Sequence, residues 1–425
     1  VVGSAASIRE IRITPVAFRD PPLLNSIGVH QPFAIRSVIE VETNDGVIGL
    51  GESYGDVAHL ERLRTVGDAI IGMSVYATSE ILDRTSVALT GVVGTDAHGL
   101  TGHITAAGTV LRTFSAFEVA CLDIQGRLAN CRVVDLLGGA VRASVPFSGY
   151  LFYKWAAHPG DEPDSYGAAL DPEGIVAQAK WMLDTYGFTA LKLKGGVMAP
   201  DEEIDAVRHL RDAYPDVPLR LDPNAAWTVA TAIRVGQSLE GILEYLEDPT
   251  LDLSGMARVA REVAMPLATN MCVVGFEDIA PALALGSVSV ILSDHHYWGG
   301  LRASQGLASI CSTFDLGLSM HSNSHLGISL AAMTHLAGAV PNLTYALDTH
   351  WPWKHPDDDV IVPGVLAFND GAVRVPTGPG LGVELDRDAL ARLHELYLSC
   401  GITHRNDTLY RQQVEPDYDG RVPRW

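Results

Sequence analysis

Paired cysteines, long hydrophobic runs and an excess of basic charge are all missing from this chain of 425 residues. No apolar run reaches the roughly 20 residues that a membrane-spanning helix needs, and residues 1–12 carry no signal-peptide core. The first residue is Val and not Met, so the original first residues are expected to be missing or processed. Cys121, Cys131, Cys272, Cys311 and Cys400 are scattered, odd in number and without metal-ligand spacing, which points to reduced thiols and a cytoplasmic location. Basic residues number 30 against 51 acidic ones, a formal net charge of −21, so neither nucleic acid nor an anionic membrane is expected as a partner. A local group of cations can still receive a small anion. Low-complexity segments are absent, as is any repeat beyond a strand–helix unit. No glycine-rich phosphate loop follows the last two strand candidates, which argues against a phosphorylated substrate.

What is present is a chain too long for one small core, ordinary in its 47% apolar and 19% charged residues. Residues 8–18 and 33–43 alternate as strands, and Asn44-Asp45-Gly46 supplies a tight turn into a third at 47–51. The connection at 21–32 is long for a compact sheet, and long loops are often functional. A helix is predicted over 110–128, and Gly138-Gly139 closes this α+β region. From residue 145 strands alternate with helices. Eight strand candidates follow, at 145–150, 190–194, 219–222, 243–247, 266–269, 288–294, 316–321 and 343–348. Eight such units are the count of a (β/α)8 barrel, whose strand C-termini converge on one mouth. The acids Asp201, Glu202 and Glu203, and later Asp252 and Ser254, suit helix N-termini. After Asp359 come short strands and turns, a helix over 386–400 and a polar tail.

The strand tips carry the chemistry. Lys192 and Lys194 are two apart on one strand, so both side chains face the same way, and a lysine pair fits only at the open mouth. The plain alternative is a solvated pair at the rim. Asp222, Glu247 and Asn270 end three consecutive strands, and oxygen-only ligands from separate elements suit Mg2+. Each could instead cap the helix that follows it. Asp294 and His321 end the sixth and seventh strands, and a carboxylate beside an imidazole prepares a general base or acid. His350, after the eighth strand, points at the same mouth, whereas His295, His296, His325 and His335 are read as structural. Two lysines, a dication and a His–Asp pair make a site for removing a proton α to a carboxylate, with the metal and a lysine stabilising the enediolate.

The motifs Lys192-Leu193-Lys194-Gly195-Gly196, Leu221-Asp222-Pro223-Asn224, Glu247-Asp248-Pro249, Ala268-Thr269-Asn270-Met271, His321-Ser322-Asn323 and Asp348-Thr349-His350-Trp351 resemble those of the enolase superfamily, and within it the glucarate dehydratases. The resemblance implies an α/β fold: an enolase-like modified (β/α)8 barrel at 141–375, with an α+β capping domain built from residues 1–140 and a C-terminal segment, 376–425, that returns to the cap. It further implies Lys194 as one α-proton base, His321 with Asp294 as the other, and Lys192 and Asn224 at the enediolate. Substrate contacts by resemblance are Asn25, His30, Thr109, Tyr150, Ser322, His350 and Arg405. Asp222 and Glu247 would neutralise Mg2+, leaving Lys192, Lys194 and Arg405 as unpaired positive charge for a dicarboxylate. The expectation is a Mg2+-dependent dehydratase of D-glucarate and L-idarate, and a homo-oligomer. The alternatives are another acid-sugar dehydratase or epimerase of that superfamily, for example one for galactarate, or a non-catalytic metal- and acid-sugar-binding paralogue.

Overall fold

Three strands rich in β-branched residues, Ile8–Arg19, Phe33–Thr43 and Ile48–Tyr54, form an antiparallel sheet with Phe33–Thr43 in the middle. The computed structural model describes residues 6–94 and 104–425. Helices Val57–Ile70, Thr78–Ala88 and Ala106–Ala129 share a core with this sheet, built on Ile39, Val41, Leu63, Val66, Phe117 and Ile124. The long helix starts earlier than its apolar periodicity suggests, because Thr105 caps it by accepting from the Gly108 N–H. Gly49 and Gly51 let the sheet meet this helix backbone to backbone: a Cβ there would lie 2.1 and 2.2 Å from the carbonyl oxygens of Ala120 and Ala116.

Eight parallel strands then make the barrel: Ser144–Phe152, Leu191–Lys194, Leu219–Asp222, Leu243–Glu247, Leu267–Thr269, Val290–Ser293, Gly317–Met320 and Leu347–Asp348. The first seven pair in sequence order, and the eighth pairs with the first through Leu347↔Phe147 and Asp348↔Ser148. The ring closes between the seventh and eighth by the N–H groups of Thr344 and Tyr345, which donate to the Leu318 carbonyl at 3.0 and 3.2 Å. Strands five to eight are shorter than the sequence suggests. Pro266 has no N–H to give a ladder, and Asp294 and His321 sit just past their strands.

The connection between the first two strands folds into a small hairpin, Leu24–Asn25 against Gly28–Val29, and bonds to the barrel through Leu24 N–H and the Tyr153 carbonyl at 2.8 Å. Helix Arg387–Ser399, capped by Asp386, runs back to the first sheet, where His394 meets the Pro15 carbonyl at 2.7 Å and Tyr397 donates to the Gly55 carbonyl at 3.2 Å. Among the described residues no helix is long and apolar enough to cross a membrane. All five cysteines are free thiols.

Candidate active site

Register brings the second and third strand tips level. Lys194 pairs with Asp222, and Tyr150 in the first strand pairs with Lys192. Lys194 Nζ donates to Asp222 Oδ2 at 2.7 Å, and Lys192 Nζ donates to Glu247 Oε2 at 2.5 Å and lies 3.8 Å from Asp222 Oδ2. Both lysines lie over the Tyr150 ring, at 4.8 and 5.8 Å from its centroid, while the Tyr150 hydroxyl is 3.4 Å from Asp222. All of these side chains are buried, so the lysines are not a solvated rim pair.

Helix capping does not account for Asp222, Glu247 and Asn270. Thr228 and Asp252 cap the helices after the third and fourth strands, and the helix after the fifth begins at Gly275 with Asp278. Asp222 Oδ1 instead accepts from the backbone and side-chain nitrogens of Asn224 at 3.1 and 3.0 Å. Asn224 is left-handed, with φ of 45°. Glu247 Oε1, Asn270 Oδ1 and Asn224 Oδ1 are buried oxygens without a hydrogen-bond partner. Such atoms are costly unless something else meets them, and a small hard dication is what carboxylate and amide oxygens at successive strand ends would hold. Burial and the neighbouring Asp222 charge keep Glu247 well above the usual carboxylate range.

On the other side, the Nδ1–H of His321 donates to Asp294 Oδ2 at 3.1 Å. Asp294 Oδ1 takes a second histidine, His296, through its Nδ1 at 2.8 Å and its backbone N–H at 2.9 Å. His296, read from the sequence as structural, thus shares the Asp294 carboxylate with His321. Asp294 also caps its own short helix, His295–Trp298, so here the capping role and the site role coexist.

Most of the residues implied as substrate contacts gather around His350. Its ring is 4.8 Å from Tyr150 and 6.5 Å from His30, and the Ser322 hydroxyl is 3.3 Å from its Nδ1. Burial holds His350 well below the ordinary imidazole range, and any charge on His30, His321, His325 or Lys194 pushes it further down. His30 is fixed by Asp20 at 3.0 Å. Asn25 and Arg405 lie together at Asp407: Asn25 Nδ2 donates to Oδ2 at 2.6 Å, and Arg405 Nε and Nη2 donate at 2.8 and 2.6 Å. Thr109 stands apart, its hydroxyl donating to the Thr105 carbonyl and accepting from Gly94 N–H, both at 2.8 Å.

The charge count needs correcting. Lys192 is not unpaired but sits between Glu247 and Asp348, the latter at 2.6 Å. Burial disfavours its charge, yet Asp348 and Glu247 hold its proton well above the usual lysine range. Asp348 has no place in the sequence-derived site. It ends the eighth strand as Asp222 ends the third, and strand-tip position was the signal that could have found it. Arg405 is likewise paired, with Asp407. Three carboxylates (Asp222, Glu247 and Asp348) against two ammoniums leave room, once a dication is added, for about one substrate carboxylate.

Residues 174–389 match the enolase C-terminal domain-like family, and residues 8–138 match the mandelate racemase / muconate lactonizing enzyme N-terminal domain. A probable glucarate dehydratase of Streptomyces coelicolor is 49% identical over 99% of this chain and 99% of its own length. A Thermobispora bispora enolase crystallised with magnesium and formate is 59% identical, covers 99% of this chain and 100% of its own, and superposes with a TM-score of 0.98. A Mycobacterium smegmatis enolase with bound tartrate is 62% identical over 99% of this chain and 98% of its own, with a TM-score of 0.94. With both family models matched along most of its length and a relative 49% identical over nearly all of it, the chain belongs to the enolase superfamily.

Proposed function

We propose that the chain is a Mg2+-dependent hydro-lyase that converts D-glucarate and its C5 epimer L-idarate to 5-dehydro-4-deoxy-D-glucarate. The observation that carries this reading is the placement of Lys194 and the His321–Asp294 pair on either side of Asp222, Glu247 and Asn270. Strands in an eight-stranded ring are about 45° apart, so the second and seventh tips lie ~135° apart and face one bound molecule from two sides. Magnesium and formate in one relative and tartrate, a hydroxy-diacid, in the other support a reading in which a hard dication and a small carboxylate are bound here. Asp222, Glu247 and Asn270 would hold the Mg2+, which supplies Lewis-acid stabilisation of charge developing on the substrate carboxylate.

The rest is done by the chain's own groups. His321, with Asp294 on Nδ1, presents Nε2 and takes the C5 proton of D-glucarate; Lys194 takes it from L-idarate on the opposite face. Lys192 and Asn224 hold the enediolate oxygens. Protonated His321 then gives its proton to the departing C4 hydroxyl, so that one water leaves and the enol relaxes to the ketone. Lys192, clamped by Glu247 and Asp348, acts as a fixed positive charge and not as a base. The choice of a diacid rests on the 49% identical relative more than on local charge, because Arg405 already has a partner.

Hydrogen exchange at C5, followed by NMR in deuterium oxide, tests the assignment. His321→Asn should stop dehydration of both epimers and exchange from D-glucarate, yet leave exchange from L-idarate. Lys194→Ala should abolish exchange from L-idarate and spare that from D-glucarate, each loss being about 100-fold or more. Near wild-type D-glucarate exchange in His321→Asn would sink the two-face reading.

A further inference from the structure

One buried cluster outside the proposed machinery lies where the first sheet meets the residues that follow the sixth and seventh barrel strands. Arg36, on the central cap strand, is 2% exposed. Its Nε donates to Glu52 Oε1 at 2.9 Å, and its Nη2 lies 2.9 Å from His296 Nε2. A guanidinium has only donors, so His296 Nε2 must present its lone pair there. The Ser329 hydroxyl, 3.1 Å from the same nitrogen, can donate alongside it. The single proton left to the His296 ring is then on Nδ1, facing Asp294 Oδ1 at 2.8 Å. Hydrogen positions follow here from the donor inventory alone.

We propose that Arg36 is a positioning residue that locks His296 as the neutral Nδ1–H tautomer, so that Asp294 keeps its second oxygen and its undivided charge for His321. Resting on His321 as a base, this goes further and makes the cap part of the base's wiring. Without a donor at Nε2, His296 can carry its ring proton there instead, and its bare Nδ1 would then face Asp294 Oδ1 lone pair to lone pair and turn the carboxylate off its line to His321. The other charges facing this cluster leave His296 as the one open choice. From the cap come Glu52, Tyr54, His59 and Arg112; from the barrel come His295, Tyr297 and His325. Burial keeps His59 and His295 well below the ordinary imidazole range and brings His325 down to about 4, so these three histidines add no cation near neutral pH to the fixed one of Arg112. Burial opposes the charge on Asp294, yet His296 and His321 hold it well below the usual carboxylate range. Glu52, the other partner of Arg36, accepts from Leu326 N–H and Ser329 N–H at 2.9 and 2.8 Å, at the start of helix Gly327–Ala339 that follows His321. Cap docking and base orientation therefore share the same two side chains.

Nitrogen-15 shifts of the histidine rings in the full-length wild type test this directly, between about pH 6 and 8. The expected result is a His296 ring with Nδ1 protonated and Nε2 bare throughout; an Nε2–H tautomer or an imidazolium would overturn the proposal whatever the enzyme turns over. The second arm uses C5 exchange. Arg36→Lys keeps a cation for Glu52 but loses the two-armed reach, so exchange from D-glucarate should fall about tenfold or more. Exchange from L-idarate, on the Lys194 side, should stay near wild type. His296→Leu should show the same selective loss, and His296→Gln, whose amide can both accept from Arg36 and donate to Asp294, should recover most of it. An equal loss for both epimers would reduce Arg36 to a structural role and overturn the proposal. If the wild type exchanges neither epimer, the dehydratase reading fails, while the ring tautomer still decides this one.

Discussion

Asp407 holds Arg405 and Asn25 with its two carboxylate oxygens, and all three are buried or nearly so. Arg405 keeps Nη1 and one Nη2 proton beyond the two donors that Asp407 takes, so the pair can orient the guanidinium and still leave donors for a distal carboxylate. Replacing Arg405 alone would strand a buried carboxylate, a loss of about 3–5 kcal/mol in stability. The double variant Arg405→Ala/Asp407→Asn avoids that and is the better probe. It is expected to raise KM for diacids by about tenfold or more, equivalent to a lost charge-assisted bond of roughly 1.5–3 kcal/mol, and to leave monoacids unchanged. Steady-state kinetics on a matched panel checks this; an equal effect on monoacids removes Arg405 from the distal subsite. At this scale the sequence was readable where a polar residue ends a strand, as Asp222 and Glu247 do, or directly follows one, as Asn270 does. It was opaque where the meaning lies in the partner. Arg36 reads as ordinary alternation in a cap strand until His296, 260 positions away, is folded against it. Arg405 reads as a free cation until Asp407 closes on it.

Loops tie neighbouring tips together. After the second strand, the backbone N–H groups of Gly196, Val197 and Met198 all donate to the Glu203 carboxylate, at 3.0, 2.9 and 3.1 Å. Glu203 therefore does more than favour a helix N-terminus, the role its place among Asp201 and Glu202 suggests; it sets the loop that directly follows Lys194. Gly196 adopts φ of +72°, and a Cβ there would meet the Pro223 carbonyl oxygen at 2.3 Å, next to Asn224. Gly196→Ala should combine left-handed strain with a backbone clash and cost about 1–3 kcal/mol. It should also disturb the Lys194 and Asn224 loops together, so exchange from L-idarate should drop more than thermal stability alone explains. Calorimetry alongside the exchange assay separates the two, and unchanged exchange in a destabilised protein would show that the loops move independently. Element type was legible from periodicity. Strand length was not, because the last strands end in bonds from side chains and loops: Arg220 and Ser319 donate to the Ala346 carbonyl where a ladder bond was expected.

Across the whole molecule, docking of cap on barrel relies on buried carboxylates that accept backbone N–H groups. Glu118 on the long cap helix receives Leu301 and Arg302 N–H from the barrel side at 2.9 and 3.2 Å, while Asp123, farther along that helix, ties the first sheet to the chain that follows the barrel by receiving Leu50 and Leu381 N–H at 3.0 and 2.8 Å. Burial pushes Glu118 up to about 7, Asp123 to about 6 and, within the barrel, Glu203 to about 7. Each of these values lies above the unfolded one, so between the two the folded state binds more protons than the unfolded state. Stability from these groups is then complete below the ordinary carboxylate range and is lost as pH rises through the folded values. Asp222, Asp294 and Asp407, held below their ordinary range, act in the opposite sense but only at more acid pH, as their own range is crossed. The net charge of −21, already present at pH 7, adds self-repulsion to the alkaline side. Buried His59, His295, His325 and His350, held below the ordinary imidazole range, add stability as pH rises toward about 6.5. Thermal unfolding should therefore show its highest midpoint at about pH 6.5 and decline from there toward pH 8 as Glu118, Asp123 and Glu203 finish ionising. Glu118→Gln keeps one acceptor and cannot ionise, so it should flatten that decline even if it lowers the midpoint at pH 5. A wild-type midpoint that rises from pH 6 to pH 8, or a slope unchanged in Glu118→Gln, would mean that these carboxylates are already charged in the folded protein and that their N–H donors outweigh the cost of burial.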